Sequence, residues 1–278
     1  MSDGLLNLVL GVAASALSAG LGWLAQTLRR RRRLSRTREF FGMAEGTECL
    51  LVVPRHAKLP DGAAVALHDA YALMELAALV KQCGAHASIM SHARVRQGIG
   101  TKAEICLGGP SVNSRMAAHL AWRFPGVRIG EWTGPGSPMA ITAGEHSYSR
   151  VPDEAEYALL ARIPGAQTRR PVFLICGQTP VSNQAAVRYL VEHQRQLMRS
   201  YGLDKPFCLV VKAVNTPAYG PDVVESAGDL TREATTAPQA APATAAQPSA
   251  TQPATTPPAT AAQASGPTAH PDATASTT

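Results

Sequence analysis

Twenty-five consecutive residues, Gly4 to Leu28, carry no charge. Seven arginines follow within ten residues: Arg29, Arg30, Arg31, Arg32, Arg33, Arg36 and Arg38. A helix of 25 residues rises about 37 Å, enough to cross a hydrocarbon core of about 30 Å with some tilt. The pattern predicts one transmembrane helix over 4–28 and a polybasic juxtamembrane segment over 29–38. The positive-inside rule places the arginines and everything after them in the cytoplasm, with Met1 to Asp3 outside, as a single-pass protein of the cell membrane. Arg29, Arg30, Arg31, Arg32 and Arg33 would then meet anionic lipid headgroups, at about 1 kcal/mol each. A cleaved signal peptide fits less well. Its start would be basic and its apolar run about 7–15 residues long, whereas Asp3 is acidic and the positive charge lies after the run. Small residues around Ala13–Ala19 would still suit a peptidase. An amphipathic surface helix needs a charged face, which Asn7, Ser15, Ser18 and Gln26 do not make. Ala14, Ser18 and Gly22 recur every four residues, as do Gly11, Ser15 and Ala19. Alanine-rich spans carry such spacings by chance, but small residues so placed also let two helices pack closely, so a homodimer through this helix is one expectation. Trp23 sits where an interfacial anchor belongs.

The net charge of +6 resembles a nucleic-acid binder's until the seven arginines are set aside. Then 19 basic residues face 20 acidic ones, and no nucleic-acid partner is expected. The five cysteines, Cys49, Cys83, Cys106, Cys176 and Cys208, show no metal-ligand spacing. Four lie in apolar runs, where a free thiol acts as a small hydrophobe and which suits a reducing compartment.

Past the arginines, apolar runs alternate with helical patterns. Runs at Glu48 to Val53, His86 to Ser91, Ala103 to Leu107, Tyr157 to Ile163, Val172 to Cys176 and Phe207 to Val214 read as strands, with weaker ones at Val127 to Gly130 and Met139 to Thr142. Helices are predicted from Gly62 to Cys83, capped by Asp61, from Ser111 to Trp122, and from Val181 to Tyr201. The first presents a stripe of Ala66, Leu67, Ala70, Leu73, Met74 and Ala77. Continuous apolar strands between helices indicate an α/β fold, Rossmann-like, with a largely parallel sheet and one antiparallel edge near Gly165. The domain is expected over 40–215. Residues 216–278, rich in Ala, Thr, Pro and Gln towards the end, are expected to form a disordered tail.

Two stretches echo each other. Ile105 to Leu120 reads ICLGGPSVNSRMAAHL and Ile175 to Leu190 reads ICGQTPVSNQAAVRYL. Each is a strand, a tight turn, a proline and a helix, with Pro110 matching Pro180 and Asn113 matching Asn183. Gly109 and Thr179 would cap the helices, with proline at the first helical position. Free backbone N–H groups there would form an anion site. The candidate ligand-binding residues are therefore Gly108, Gly109, Ser111, Asn113, Thr179 and Asn183, joined by Asp69 from the first helix. The same turns also serve as plain corners, with both asparagines satisfying local backbone. Asp69 would be partly buried and paired with Arg55 or Arg94, or would contact ligand or act as a base. His56, His92, His119 and His146 have surface or structural roles as their default, and Cys176 is the one strand-end cysteine placed to be a nucleophile. Neither turn is a Walker A or G-x-G-x-x-G motif, so no cofactor is expected.

The strand–Gly108-Gly109-Pro110-x-x-Asn113–helix turn, with Asp69, resembles that of a group of uncharacterised bacterial membrane-anchored proteins with a Rossmann-like domain. The resemblance covers about 150 residues; Gln178-Thr179-Pro180 lacks the second glycine. It implies the fold and carries no activity. The expectation for function is a membrane-tethered module that binds a small anionic, nucleotide-like ligand. The alternatives are an enzyme, a hydrolase or glycosyl-transfer enzyme using Asp69 or Glu75, and a structural adaptor.

Overall fold

The computed structural model describes residues 2–56, 64–134, 136–165 and 170–237. It opens with α1 (Ser2–Phe41), a single 40-residue helix. Among the described residues this is the one helix long and apolar enough to cross a membrane, and its apolar window is 0% buried. Nothing between Leu28 and Phe41 breaks a helix, so it continues through the arginines into the domain. Gly42, at φ +65°, ends it. Gly42 N donates to Glu39 O (3.2 Å) and Met43 N to Arg38 O (2.8 Å), a pair of bonds that closes a helix C-terminus. Phe40, Phe41 and Met43 are fully buried.

The elements that follow are β1 (Glu48–Val53), α2 (Leu67–Gln82), β2 (His86–Ser91), β3 (Ala103–Leu107), α3 (Ser114–Arg123), β4 (Val127–Ile129), β5 (Ile141–Ala143) and β6 (His146–Tyr148). Then come β7 (Ala155–Ile163), β8 (Val172–Gly177), α4 (Pro180–Tyr201), β9 (Phe207–Val214), α5 (Thr216–Tyr219), β10 (Val224–Asp229) and α6 (Thr231–Thr235). Seven strands form one sheet in the order β10-β9-β7-β8-β3-β1-β2, and β4-β5-β6 form a small antiparallel sheet.

The large sheet is α/β but mixed. The ladders among β2, β1, β3 and β8 are parallel, while β8–β7, β7–β9 and β9–β10 are antiparallel. The pair around Gly165 is antiparallel as expected, but it does not lie at an edge: β7 sits inside the sheet, and three of the sheet's six ladders are antiparallel. The link from β7 to β8 is too short for a crossover helix, and an apolar run does not encode strand direction.

Both faces of the sheet are covered, so central strands are buried throughout. In β1, Cys49, Leu51 and Val53 face the layer containing Phe40, α2 and α4. Leu50 and Val52 face the layer containing α3, the small sheet and α6.

Three further boundaries differ from the sequence reading. α2 starts at Leu67, with Ala66 as N-cap and no side-chain cap; Asp61 and Gly62 lie outside the described residues. Its buried face is Asp69, Ala72, Leu73, Leu76, Leu79 and Val80, and Leu67 and Met74 are exposed. In an alanine-rich helix the phase is weakly defined, and a buried carboxylate conceals it. α3 starts at Ser114, not Ser111. Finally, the folded chain does not stop at 215. β10 pairs with β9, and Leu230 and Ala234 of the α6 segment are buried under the sheet. The expected tail thus begins later, and 238–278 lie outside the described residues.

Leu230→Ala should therefore destabilise the domain by about 2–5 kcal/mol, the range for removing a buried leucine. Urea denaturation of the full chain in detergent measures this, and a change under about 0.5 kcal/mol, the scale of a surface site, would mean that the α6 segment does not pack.

Candidate functional site

A pocket of about 290 Å³ opens beyond the carboxyl ends of β1, β3 and β8. The strand order reverses there: α2 leads from β1 to β2 on one side, and β3 lies on the other. Such a switch point leaves a crevice between neighbouring strand ends. Pro54 to His56 after β1, Gly108, Gly109, Ser111 and Val112 after β3, and Gly177 to Pro180 at the end of β8 and just past it line the pocket. Ala66 and Asp69 come from the start of α2, Asn183 from α4, and Trp132, Met139 and Arg150 from around the small sheet.

Gly108 is dictated by geometry. Its φ is +90°, and a Cβ there would lie 2.7 Å from Pro54 Cβ, so only glycine lets the β3 turn pass the end of β1. Gly109 is less constrained, with Cys176 Sγ at 3.8 Å from a built Cβ.

Asp69 is 5% exposed. Asn183 Nδ2 donates to its Oδ1 at 2.8 Å, and the other oxygen has no hydrogen bond among the described residues. Burial pushes its pKa up, opposed by the Asn183 hydrogen bond and by His68 and His56 nearby. The expected pairing with Arg55 or Arg94 is replaced by this neutral amide, which offsets burial less than a cation would. Arg55 Nη2 instead donates to Ser111 O (3.2 Å).

The two asparagines share a task that their spacing hinted at. Asn183 Oδ1 accepts from Gly177 N at 2.6 Å, tying the first turn of α4 to the end of β8. Asn113 Nδ2 donates to Leu107 O at 2.8 Å, tying the start of α3 to the end of β3. Only Asn183 also reaches the pocket. Asn113, placed here as a ligand contact by sequence, is fully buried and is itself the N-cap of α3, accepting from Arg115 N and Met116 N (both 3.1 Å). Gly109 is therefore not that cap and Pro110 lies in the turn before it, so the echo between the two stretches fails at this point.

Thr179 does cap α4, with Pro180 at the first helical position as expected. Its capping box is closed, however: Ser182 N donates to Thr179 Oγ1 (3.2 Å) and Thr179 N to Ser182 Oγ (2.9 Å). Much of the hydrogen-bonding capacity at both helix starts is thus spent internally, and side chains carry more of the pocket's polarity than backbone N–H groups do. Arg150 Nε donates to Glu156 Oε1 (3.0 Å), and Thr179 Oγ1 donates to Glu156 Oε2. Gln178 bridges the two sheets: its Oε1 accepts from Tyr157 N (2.8 Å), and its Nε2 donates to Tyr148 O (2.8 Å) and Met139 O (3.1 Å).

Other candidates fall elsewhere. Glu75 accepts from Gln184 Nε2 (2.8 Å) and Arg188 Nε (3.0 Å), outside the pocket. Cys176 is buried and its thiol is pushed up to about 12 by burial, so it is no nucleophile. His92 bonds Ser114 Oγ (2.9 Å), and His146 lies on an exposed part of β6. His119 belongs to a buried cluster that sequence reasoning missed. Glu104 on β3 accepts from Arg115 Nε and Nη2 (2.6 and 2.7 Å) and faces His119 Nε2 at 3.0 Å. Burial alone would raise the Glu104 pKa, but these partners hold it below the usual range. Nothing inside the short strand AEICL marks its glutamate as buried. Trp132 and Arg150 were also missed, because they reach the pocket from a Gly/Pro-rich stretch without a periodic signal. No protein-family model matches the chain, and no curated protein matches it.

The Asp69 pKa is raised in the fold, so this group favours folding below its unfolded value of about 3.9 and loses that contribution as pH rises through the folded value. Asp69→Asn should therefore raise the melting temperature at pH 7.5, by about 2–4 °C, and not at pH 3.5. Melting curves at the two pH values measure this, and destabilisation at pH 7.5 would mean that the carboxylate is instead held by favourable contacts.

Proposed function

We propose that this chain is a single-pass, membrane-anchored ligand-binding module whose Rossmann-like domain takes a small polar ligand at the switch point. The observation that carries the reading is Asp69. Its side chain is mostly buried in the lining of an open pocket, with one neutral protein partner, Asn183, on one oxygen and none on the other among the described residues, and that second oxygen is left within reach of the pocket. Buried polar groups are ordinarily satisfied, and an incompletely satisfied carboxylate in a cleft costs stability that a ligand would recover. A hydroxyl or amino group would meet Asp69, and an anionic group would lie towards Arg55 and Arg150. The Trp132 ring, about half exposed at 48%, offers a flat surface for a base or sugar. A nucleotide-like ligand combines these features. The β2-β1-β3-β8 order supports the Rossmann-like reading, since ligands of doubly wound folds bind outside strand ends where the order reverses. α1 would span the membrane, with Arg29 to Arg33 at the cytoplasmic headgroups and the domain in the cytoplasm.

The enzyme reading has one observation in its favour: burial raises the Asp69 pKa, which makes its carboxylate a better proton acceptor than an ordinary aspartate.

Two measurements test these readings. A reporter fused after Thr278 should resist protease added outside intact cells; digestion there would reverse the topology. The full chain in nanodiscs, screened by thermal shift against nucleotides, nucleosides and sugar phosphates, should yield a stabilising hit that Asp69→Asn weakens about 5- to 150-fold, the loss of one or two buried hydrogen bonds. Hits unaffected by Asp69→Asn would remove the site. Turnover of a hit would select the enzyme.

A further inference from the structure

A second concave surface lies at the other end of α4, where that helix passes the juxtamembrane part of α1. Arg33 and Arg36 of α1, together with Arg195 and Arg199 of α4, line a groove of about 440 Å³, floored in part by Met198 and Leu203. All four arginines are exposed, and none forms an ion pair among the described residues. Glu39 is the one acidic residue in the lining. Arg195 and Arg199 are four apart on a helix and so share a face, which is turned towards α1 here.

The position of the groove follows from α1. Arg33 lies five residues after Leu28, the last residue of the uncharged run, and Arg36 eight after it. At 1.5 Å per residue these are about 8 and 12 Å along an unbroken helix. The headgroup layer is about 5–8 Å deep on each side of the hydrocarbon core. If Leu28 marks the hydrocarbon edge, Arg33 lies at the outer limit of the headgroup layer and Arg36 just beyond it, so the groove faces the headgroup surface and its long arginine side chains can extend to the phosphates.

We infer that this groove is an anionic-lipid site, in which Arg195 and Arg199 of the domain join Arg33 and Arg36 around a phosphate-bearing headgroup and set the domain's orientation on the bilayer. The inference rests on the membrane-anchored reading of α1. It differs from a simple polybasic tether in one respect. Arginines confined to α1 meet lipid whether or not the domain is folded, whereas Arg195 and Arg199 reach α1 only when α4 is packed. Anionic lipid bound in the groove must therefore stabilise the fold, and lipid bound to the tether alone must not.

The experiment uses the full chain in nanodiscs of phosphatidylcholine alone and with phosphatidylglycerol added. Phosphatidylglycerol should raise the melting temperature by about 4 to 8 °C, and high salt should remove the shift. Arg195→Glu with Arg199→Glu should abolish the shift. Arg94→Glu with Arg96→Glu, an equal charge change elsewhere on the surface, should keep it. Equal shifts in all three proteins, equal losses in both double variants, or no shift in the unaltered chain would each overturn the groove. Stabilisation by heparin in pure phosphatidylcholine discs, lost in the Arg195/Arg199 variant, would overturn it too by assigning the surface to a soluble polyanion. The membrane reading has its own readout: release from vesicles by alkaline carbonate would end it and the groove with it, whereas retention with equal shifts would end the groove alone.

Discussion

The structure depends first on how the end of α1 enters the core. Phe40 and Phe41 meet edge-on, 5.0 Å between ring centres, and both pack against Phe173 of β8, at 5.4 and 5.0 Å. Arg162 of β7 closes this cluster. It is only 2% exposed, and its guanidinium lies 4.9 Å from the Phe40 ring and 5.9 Å from Phe173. Its Nη1 donates to Gly202 O (3.0 Å), just past the last turn of α4. Its Nε has no partner among the described residues. Burial pulls its pKa down to about 10, with Asp204 opposing, so it stays charged at neutral pH. The charge is held by two aromatic faces and by the negative end of a helix, not by a carboxylate contact.

That junction has consequences at a distance. Because α1 is helical up to residues that are themselves core, the domain is not hung from a flexible linker. Arg38 reinforces the joint by donating to Cys83 O (2.7 Å) at the end of α2 and by pairing with Glu45 at 3.0 Å. α4 in turn runs from the candidate pocket, where Thr179 and Asn183 lie, to the α1 junction at Gly202. Its 22 residues make a rod of about 33 Å. One continuous element thus touches both the pocket and α1.

Much of this was legible in the chain. The strands Glu48–Val53, Ala103–Leu107 and Phe207–Val214 stand as their apolar runs indicate, since a sheet covered on both faces needs no alternation, and His86–Ser91 stands as the exposed edge strand beside them. The capping of α4 by Thr179 and Pro180 is local chemistry and was read correctly. Gly108, Gly109, Ser111, Thr179, Asn183 and Asp69 all line one pocket, because residues that follow parallel strands converge at one sheet edge. Of the two roles open to Asn113, the structure has the local backbone one; a buried cap and a ligand contact have the same local sequence, and only the packing of α3 separates them. The strand β10 was missed because VESAGD is half exposed at a sheet edge and carries little apolar signal.

The sequence by itself determined that a 25-residue uncharged run precedes a basic cluster, that the chain forms an α/β domain, and where its main strands lie. These properties follow from composition and short-range periodicity. Strand direction, the buried pairing of Glu104 with Arg115, the desolvation of Asp69 and the seating of Phe40 against Arg162 belong to the tertiary structure. Each depends on a partner far away along the chain. The cost or gain of burying a charge is decided by which partner arrives, and no local pattern records that.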